Sequence, residues 1–320
     1  MAIAASARLC GAVLSGAIGV AACGKVAGGG PDAGHEIDAA VDAAPDAATP
    51  RCNPMADFGK ADPLDSLNTD FDDEHAELSA DELTIYFSST RPGGMGGFDV
   101  YFATRPSISA PFGNITPAPG VNTAGNERTP RITADGLSLY SMTATSTATA
   151  LRISLATRPN TAVDFSELKP VANINGALDN ADPYLVAGGN AMYLANDMSG
   201  NLDLYRTAKA GGAFATPTLV SGVDLMTTAT ENNPVVTVDE LSMFCGSTRP
   251  GAVGGTGDFD IYQARRASVA DGFGAAMALT PLNTAGADVP NWISPDGCHL
   301  YLTRAEANVG FQLYMASRGP

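Results

Sequence analysis

A unit of about fifty residues recurs along this chain and narrows its possible folds more than any other feature; it is clearest between Ser79 and Arg105, SADELTIYFSSTRPGGMGGFDVYFATR. Within that stretch, two runs rich in β-branched and aromatic residues, Leu83 to Ser88 and Phe98 to Ala103, flank a Gly/Pro-rich turn. An antiparallel pair of strands reads this way in sequence. One such pair is barely stable alone, and the chain supplies four more copies. Tyr86, Tyr140, Tyr193, Phe244 and Tyr301 fill one column, spaced 54, 53, 51 and 57 residues apart, and Tyr101, Ile153, Tyr205, Tyr262 and Tyr314 fill a second. A period of this length with strands inside it is the signature of a radial repeat array.

The copies align through this hairpin, whose strands are designated b and c. A preceding strand a is expected at Ala76 to Ser79, Pro130 to Thr133, Pro183 to Val186, Pro234 to Thr237 and Asn291 to Ser294. The a–b turns are then Asp81-Glu82, Asp135-Gly136, Gly188-Gly189, Asp239-Glu240 and Asp296-Gly297, of which Asp-Gly and Gly-Gly are strong tight-turn signals because they tolerate positive φ. Strand c ends in a basic residue: Arg105, Arg158, Lys209, Arg266 or Arg318. A fourth strand, d, follows Phe112, Phe165, Phe214 and Phe273, but the last copy stops at Pro320 without one. Phe58-Gly59 opens DFGKADPLDSLNT, which matches PFGNITPAPGVNT yet precedes the first copy. The N-terminal strand is therefore expected to complete the last sheet, which pairs an edge that would otherwise stay open. The reading is an all-β chain: a five-bladed β-propeller over residues 55–320, closed by its N-terminal strand.

The repeat resembles the TolB-like, WD-type propeller units of bacterial envelope proteins. The resemblance is carried by Leu78 to Tyr101, by Pro234 to Tyr262 with Ser247-Thr248-Arg249-Pro250-Gly251 and Asp260-Ile261-Tyr262, and by Ile293-Ser294-Pro295-Asp296-Gly297. It implies the fold over the whole domain and a role as an interaction platform or binding module in the envelope. The second copy lacks the Arg-Pro-Gly-Gly turn and the third has Asn196 to Asp203 in its place, so a property tied to that turn is absent from two blades.

Residues 1–22 carry one basic residue, Arg8, before the apolar run Leu9 to Ala22, which is too short for a permanent bilayer span and reads as an export signal. Val20-Ala21-Ala22-Cys23 resembles a bacterial lipobox, which implies lipidation of Cys23; an ordinary A-x-A cleavage site is the alternative. Gly24 in the next position resembles lipoproteins sorted to an outer membrane. Residues 23–54 are dominated by Ala, Asp, Gly and Pro and are expected to form a disordered tether. Thirty-four acidic residues against 18 Lys and Arg give a net charge of −16 with no basic cluster, which argues against nucleic acid as a partner.

One column stands out as chemistry. Asp73, Glu127, Asn180, Glu231 and Asp288 fall on the d–a crossing, just before the innermost strand, where they would surround one mouth of the central channel. Crowded carboxylates repel unless cations, waters or N–H groups satisfy them. Two readings follow: each acid caps its own crossing, or the ring binds a polar ligand or a calcium or magnesium ion. Arg91 and Arg249 lie on turns of the same face and join the ring as candidate ligand-binding residues. A glycoside hydrolase is the alternative class, because some five-bladed propellers place carboxylates in a central pocket. Catalysis needs carboxyls in unlike environments, and the position that varies is Glu77, Arg131, Tyr184, Val235 and Trp292. His35, His75 and His299 have no metal-ligand spacing.

With Cys10 in the signal and Cys23 under lipid, Cys52, Cys245 and Cys298 remain. If the ring closes as described, Cys52 and Cys298 share an edge of the fifth blade and pair in an oxidising envelope, and Cys245 is a buried thiol. The chain is thus expected to be a monomeric, non-catalytic outer-membrane lipoprotein without a cofactor. Its face of acids and arginines would bind an envelope protein or a polysaccharide such as peptidoglycan. A polysaccharide-active enzyme and a purely structural envelope protein are the alternatives.

Overall fold

The computed structural model describes residues 51–144, 150–176, 178–223, 225, 227–250 and 258–319. The expected signal, Cys23 and residues 24–50 of the tether lie outside the described residues. Five antiparallel sheets form the domain. The first blade is Asp73–Leu78, Thr84–Ser89, Asp99–Thr104 and Gly113–Pro117. The second is Asn126–Ile132, Ser138–Ala144, Arg152–Thr157 and Lys169–Pro170. In the third, Asn180–Val186, Ala191–Asn196 and Asp203–Ala210 are followed by two short outer pieces, Ala213–Phe214 and Thr218–Leu219. The fourth is Glu231–Val236, Ser242–Ser247, Asp260–Arg265 and Met277–Ala278. In the fifth, Asp288–Ile293, His299–Glu306 and Gly310–Ser317 are completed on the outside by Asp62–Pro63.

The closure is as the repeat requires. Asp62 pairs with Met315 and Pro63 with Tyr314, and Phe58 bridges Arg318. The domain also begins earlier than residue 55: Cys52 is bonded to Cys298 with Cα atoms 5.6 Å apart, and the Arg51 guanidinium meets Glu82 and Asp296, each at 2.6 Å. These contacts fold back residues that composition alone assigns to the tether.

Each blade is locked by a clamp that explains the two columns flanking the c–d turn. The basic residue ending strand c lies over the phenylalanine that follows, at 4.3 Å for Arg105 on Phe112, 4.2 Å for Arg158 on Phe165, 5.1 Å for Lys209 on Phe214 and 4.3 Å for Arg266 on Phe273. Arg318 sits 3.9 Å over Phe58, so the N-terminal phenylalanine takes the place that the fifth blade lacks. Such cation–π stacks contribute about 0.5–2 kcal/mol each. Between blades the strand-b aromatics are buried, from Tyr193 and Phe244 at 0% to Tyr86 at 7% exposure.

The innermost strands start three to four residues before their expected positions. Each carries a bulge, between Glu74 and Glu77 in the first blade and at the equivalent place in the others. The bulge puts His75, Thr129, Asp182 and Asn233 at φ of 47 to 56°. An extra residue of this kind breaks strict alternation and re-aims side chains, which hides the strand start from a period-2 reading. The a–b turns have left-handed residues at one shared position: Glu82, Gly136, Gly189, Glu240 and Gly297, with φ between 57 and 83°.

Candidate functional site

The a–b turns lie on one face of the ring and the d–a crossings on the other. On the crossing face, the acidic column is the first or second residue of each innermost strand and is buried to 1% exposure or less in every blade. Asp73 accepts bonds from the N–H and hydroxyl of Thr69, Glu127 from those of Thr123, Glu231 from those of Thr227 and Asp288 from those of Thr284. Asn180 instead donates to Leu178 O and accepts from Asn196 at 2.8 Å. These bonds describe the crossing-cap reading: each side chain satisfies donors of its own tight turn.

The arginines are part of the same ties. Arg91 binds Asp73, Leu67 O and Ser89, and Arg249 binds Glu231, Leu225 O and Ser247. Both stack on strand-c tyrosines, Tyr101 and Tyr262, with side chains 10% and 12% exposed. Arg304 does the same for the fifth blade, donating to Asp288 at 2.7 Å and to Leu282 O, over Tyr314. Sequence reasoning missed it because it follows its acid by 16 residues, where Arg91 and Arg249 follow theirs by 18. The structure therefore brings Asp73 with Arg91 and Glu231 with Arg249, each pair within one blade, as internal bonds. Glu127, which has no arginine, is raised by burial against the pull of Thr123. Among the described residues no group of three or more His, Cys, Asp or Glu is arranged to hold a metal ion.

Around the axis the innermost strands bond to one another through residues that occur once. Arg128 of the second blade grips both carboxylate oxygens of Glu74 of the first and lies 4.4 Å over Phe98. His75 Nδ1 sits 3.0 Å from Glu74, and Asn233 N–H donates to Asp182 at 3.3 Å. Deeper, Arg131 is fully buried, donating to Pro183 O at 2.6 Å and to Glu77 at 3.1 Å, with its guanidinium 5.2 Å over Tyr184. The channel is thus plugged by side chains. Arg131 Nη2, Thr129 Oγ1, Asn233 Nδ2 and Asn291 Nδ2 are buried in the plug without a protein partner among the described residues.

The two carboxyls of the first innermost strand are driven in opposite directions. Burial would raise Glu74, but His75 and Arg128 outweigh it and hold the carboxyl at about 2. Burial lifts Glu77 to about 8, against Arg131. Glu77 lines a cavity. It forms part of an axial funnel of about 240 Å³ with Tyr184 and Trp292, and the funnel opens past Val186, Val236, Val238 and Pro295 onto the a–b turn face. Trp292 is 6% exposed and packs edge-on against Tyr301 at 5.6 Å, so it is both a packing residue and a wall of the funnel. A larger cavity, about 530 Å³, opens on the same face between the first and second blades. Both cavities thus open on the face opposite the acidic column.

No protein-family model matches the chain, and neither does any curated protein. Solved structures do. One is from work on the GH130 family, whose mannoside phosphorylases are described as including glycoside hydrolases that target β-1,2-mannosidic linkages in Candida mannan: TM-score 0.53 at 12% identity, covering 83% of this chain and 96% of that one. An α-L-arabinofuranosidase from Lactobacillus brevis superposes with a TM-score of 0.50 at 13% identity, over 80% of this chain and 92% of the other. TolB from Acinetobacter baumannii gives 0.45 at 14% identity over 76% of this chain, which spans 54% of that protein's length. At such identities the likeness is one of fold, and a propeller hosts unrelated activities.

Proposed function

We propose that this chain is a non-catalytic binding propeller of the bacterial envelope, anchored to an outer membrane through lipid on Cys23, and that it docks an envelope protein or a polymer such as peptidoglycan on its a–b turn face. The observation that carries the reading is the placement of cavities: the axial funnel and the inter-blade pocket both open on that face. Concave, mostly apolar sites with a few convergent polar groups are where ligands settle. The crossing face offers less, because its carboxylates and arginines are bonded within their own blades. Photo-crosslinking tests the choice of face. A crosslinker placed at Val238, 73% exposed on the a–b side, should give adducts in envelope fractions, and one at Met95, 69% exposed on the turn of the other side, should not. Adducts from Met95 alone would reverse the assignment. Loss of palmitate labelling in Cys23→Ser tests the anchor, and an unlabelled parent chain would remove it.

The enzyme alternative has one observation in its favour. Glu74 at about 2 and Glu77 at about 8 are a base and an acid in the sense that catalysis by carboxyl pairs requires. Both would have to face one scissile bond, yet Glu77 lines the funnel and Glu74 is turned to Arg128 and His75. Turnover of aryl glycosides by the full chain that vanishes in Glu77→Gln would establish the enzyme over the binding protein.

A further inference from the structure

The joints between blades on the a–b turn face are built from four equivalent positions: the strand-b aromatic of one blade, the strand-c residue opposite it, and from the next blade the left-handed turn residue and the basic residue ending strand c. Between the third and fourth blades these are Tyr193, Arg206, Glu240 and Arg266. The Glu240 carboxylate fills the joint, accepting from Tyr193 Oη at 2.7 Å and Arg206 Nε at 2.9 Å, with Arg266 at 3.5 Å. Between the fifth and first blades, Glu82 holds the same place beside Tyr301, with Arg105 at 4.0 Å and Arg51 at 2.6 Å.

Between the first and second blades the set is Tyr86, Phe102, Gly136 and Arg158. The phenol and the second guanidinium are kept, the carboxylate is not, and the cavity of about 530 Å³ occupies the joint. Arg158 is held ready: its Nε donates to Gly136 O at 2.7 Å, its guanidinium lies 4.2 Å over Phe165, and it lines the same cavity as Tyr86. A Cβ at Gly136 would stand 3.5 Å from Arg158 Nη2, so a glutamate side chain there would point at this pair. Among the described residues no carboxylate is ion-paired with Arg158.

The remaining joints differ from it. Gly189 is the turn residue of the second–third joint, but Thr133 Cγ2 lies 2.9 Å from its Cβ position. The fourth–fifth joint has Phe244 in place of the tyrosine and Pro54 against Gly297, and its smaller cavity, about 210 Å³, is lined by Gln263 and Arg318 without a phenol.

We infer that the first–second joint is a carboxylate-binding pocket, in which a ligand's carboxylate takes the place that the Glu240 side chain holds two joints away. Tyr86 and Arg158 receive the carboxylate, by charge-assisted hydrogen bonds of the kind that make such pairs strong. The ligand's apolar body lies against Phe102, Ile132 and Val163, which line the cavity. Phe102 stands where the third blade has Arg206, so the pocket has one cation and suits a monocarboxylate. Asp81 and Asp135 at the rim, each capping its own turn, disfavour a second negative charge. The chemistry is shared by a small aromatic acid and by the C-terminal residue of a peptide ending in phenylalanine. It does not depend on which face docks a macromolecule, because it is read on the chain alone.

Calorimetric titration of the full chain with 3-phenylpropanoate and with its neutral amide tests the inference. The acid should bind about tenfold or more tightly than the amide, as hydrogen bonds to a charged group require. Tyr86→Phe should weaken the acid several-fold and leave the amide unchanged. Gly136→Glu should abolish binding by placing the chain's own carboxylate in the pocket; its left-handed turn is one that Glu82 and Glu240 already adopt, and Thr161 Cγ2, at 3.2 Å from the new Cβ, must move slightly. Unchanged circular dichroism confirms that this variant folds, and Tyr86→Phe, which removes one oxygen, remains decisive if it does not. Equal binding of acid and amide, no binding of the acid at millimolar concentration, or full binding by folded Gly136→Glu would each overturn the pocket. A tripeptide ending in phenylalanine and its amidated form separate the sources: a free C-terminus bound as tightly as the acid extends the pocket to chain ends, and binding of the acid alone restricts it to small molecules.

Discussion

Cutting the Cys52–Cys298 bond in the variant Cys52→Ser/Cys298→Ser tests ring closure most directly. The bond joins residues 246 apart in sequence. In the chain-entropy account, a cross-link over so long a loop restricts the unfolded chain by about 5 kcal/mol at 25 °C. That is a ceiling, because an unfolded chain with residual structure has less freedom to lose. The folded side of the balance is modest. The closing outer strand is two exposed residues, Asp62–Pro63, assisted by the bonds Asn53 N to Gly319 O, Gly59 N to Ser317 O and Leu64 N to Leu313 O. Phe58 contributes most, buried at 5% between Arg318 and Phe244. The variant should therefore lose about 3–5 kcal/mol in urea unfolding, and hydrogen exchange should show Gly59 and Leu64 opening before the inner strands. Cys245, the one free described cysteine, is buried and unchanged, so exchange between thiols does not confuse the comparison. A loss below about 1 kcal/mol with the same urea dependence would mean that the bond does not constrain the unfolded chain, and the account of closure by a long-range staple would fail.

Three further outcomes follow from single side chains. Glu77 has a folded carboxyl at about 8 against a free value of 4.5, so its contribution to stability is full below pH 4.5 and is lost as pH rises through 8; Glu77→Gln should flatten that fall by a few kcal/mol, and parallel stability–pH curves would refute the raised carboxyl. Glu240→Gly strips the partner from Arg206, Arg266 and Tyr193 and should cost about 2–3 kcal/mol in urea unfolding, while opening a second site for 3-phenylpropanoate; wild-type stability would show that the carboxylate is not what fills that joint. Asp73→Asn keeps one acceptor for Thr69 but leaves Arg91 without its anion, and should lower stability by about 1–3 kcal/mol with crosslinking from Val238 unaltered; lost crosslinking at native stability would return the acidic column to the binding site.

The repeat made the ring readable because every blade must solve the same problems, and each solution leaves a column. The aromatic of strand b, the basic residue ending strand c and the phenylalanine after it recur in all five blades, and Phe58 is assignable to the last blade from the sequence because it carries the last of these signals. The bulges were not readable: at His75, Thr129, Asp182 and Asn233 the residue types differ, and what they share is a φ near 50° that no composition encodes. The acidic column was readable as a column but not as a site, since capping a crossing and binding an ion call for the same carboxylate. What separates the two is the threonine four residues earlier, Thr69, Thr123, Thr227 or Thr284, whose N–H and hydroxyl take up the acid. That Thr-x-x-x-acid spacing was present in four copies and would have favoured the cap.

The same logic says where specific chemistry can reside. A residue required by every blade has its bonding capacity used by the blade, as Asp73 and Arg91 show, so recognition has to be built from positions at which the copies disagree. Two such sets exist. Around the axis, Glu77, Arg131, Tyr184, Val235 and Trp292 differ in every blade, and three of them, Glu77, Tyr184 and Trp292, line the funnel. At the joints, the turn residue is glutamate in two blades and glycine in three while the backbone stays left-handed, so the carboxylate is supplied by the chain in some joints and missing from others. The joint that keeps its tyrosine and arginine but omits the glutamate also holds the cavity of about 530 Å³. Tyr86 and Arg158 recur because every blade packs the one and clamps a phenylalanine with the other; what is particular to this joint is Gly136 and the space beside it that both side chains line, and that space is the argument for an anion.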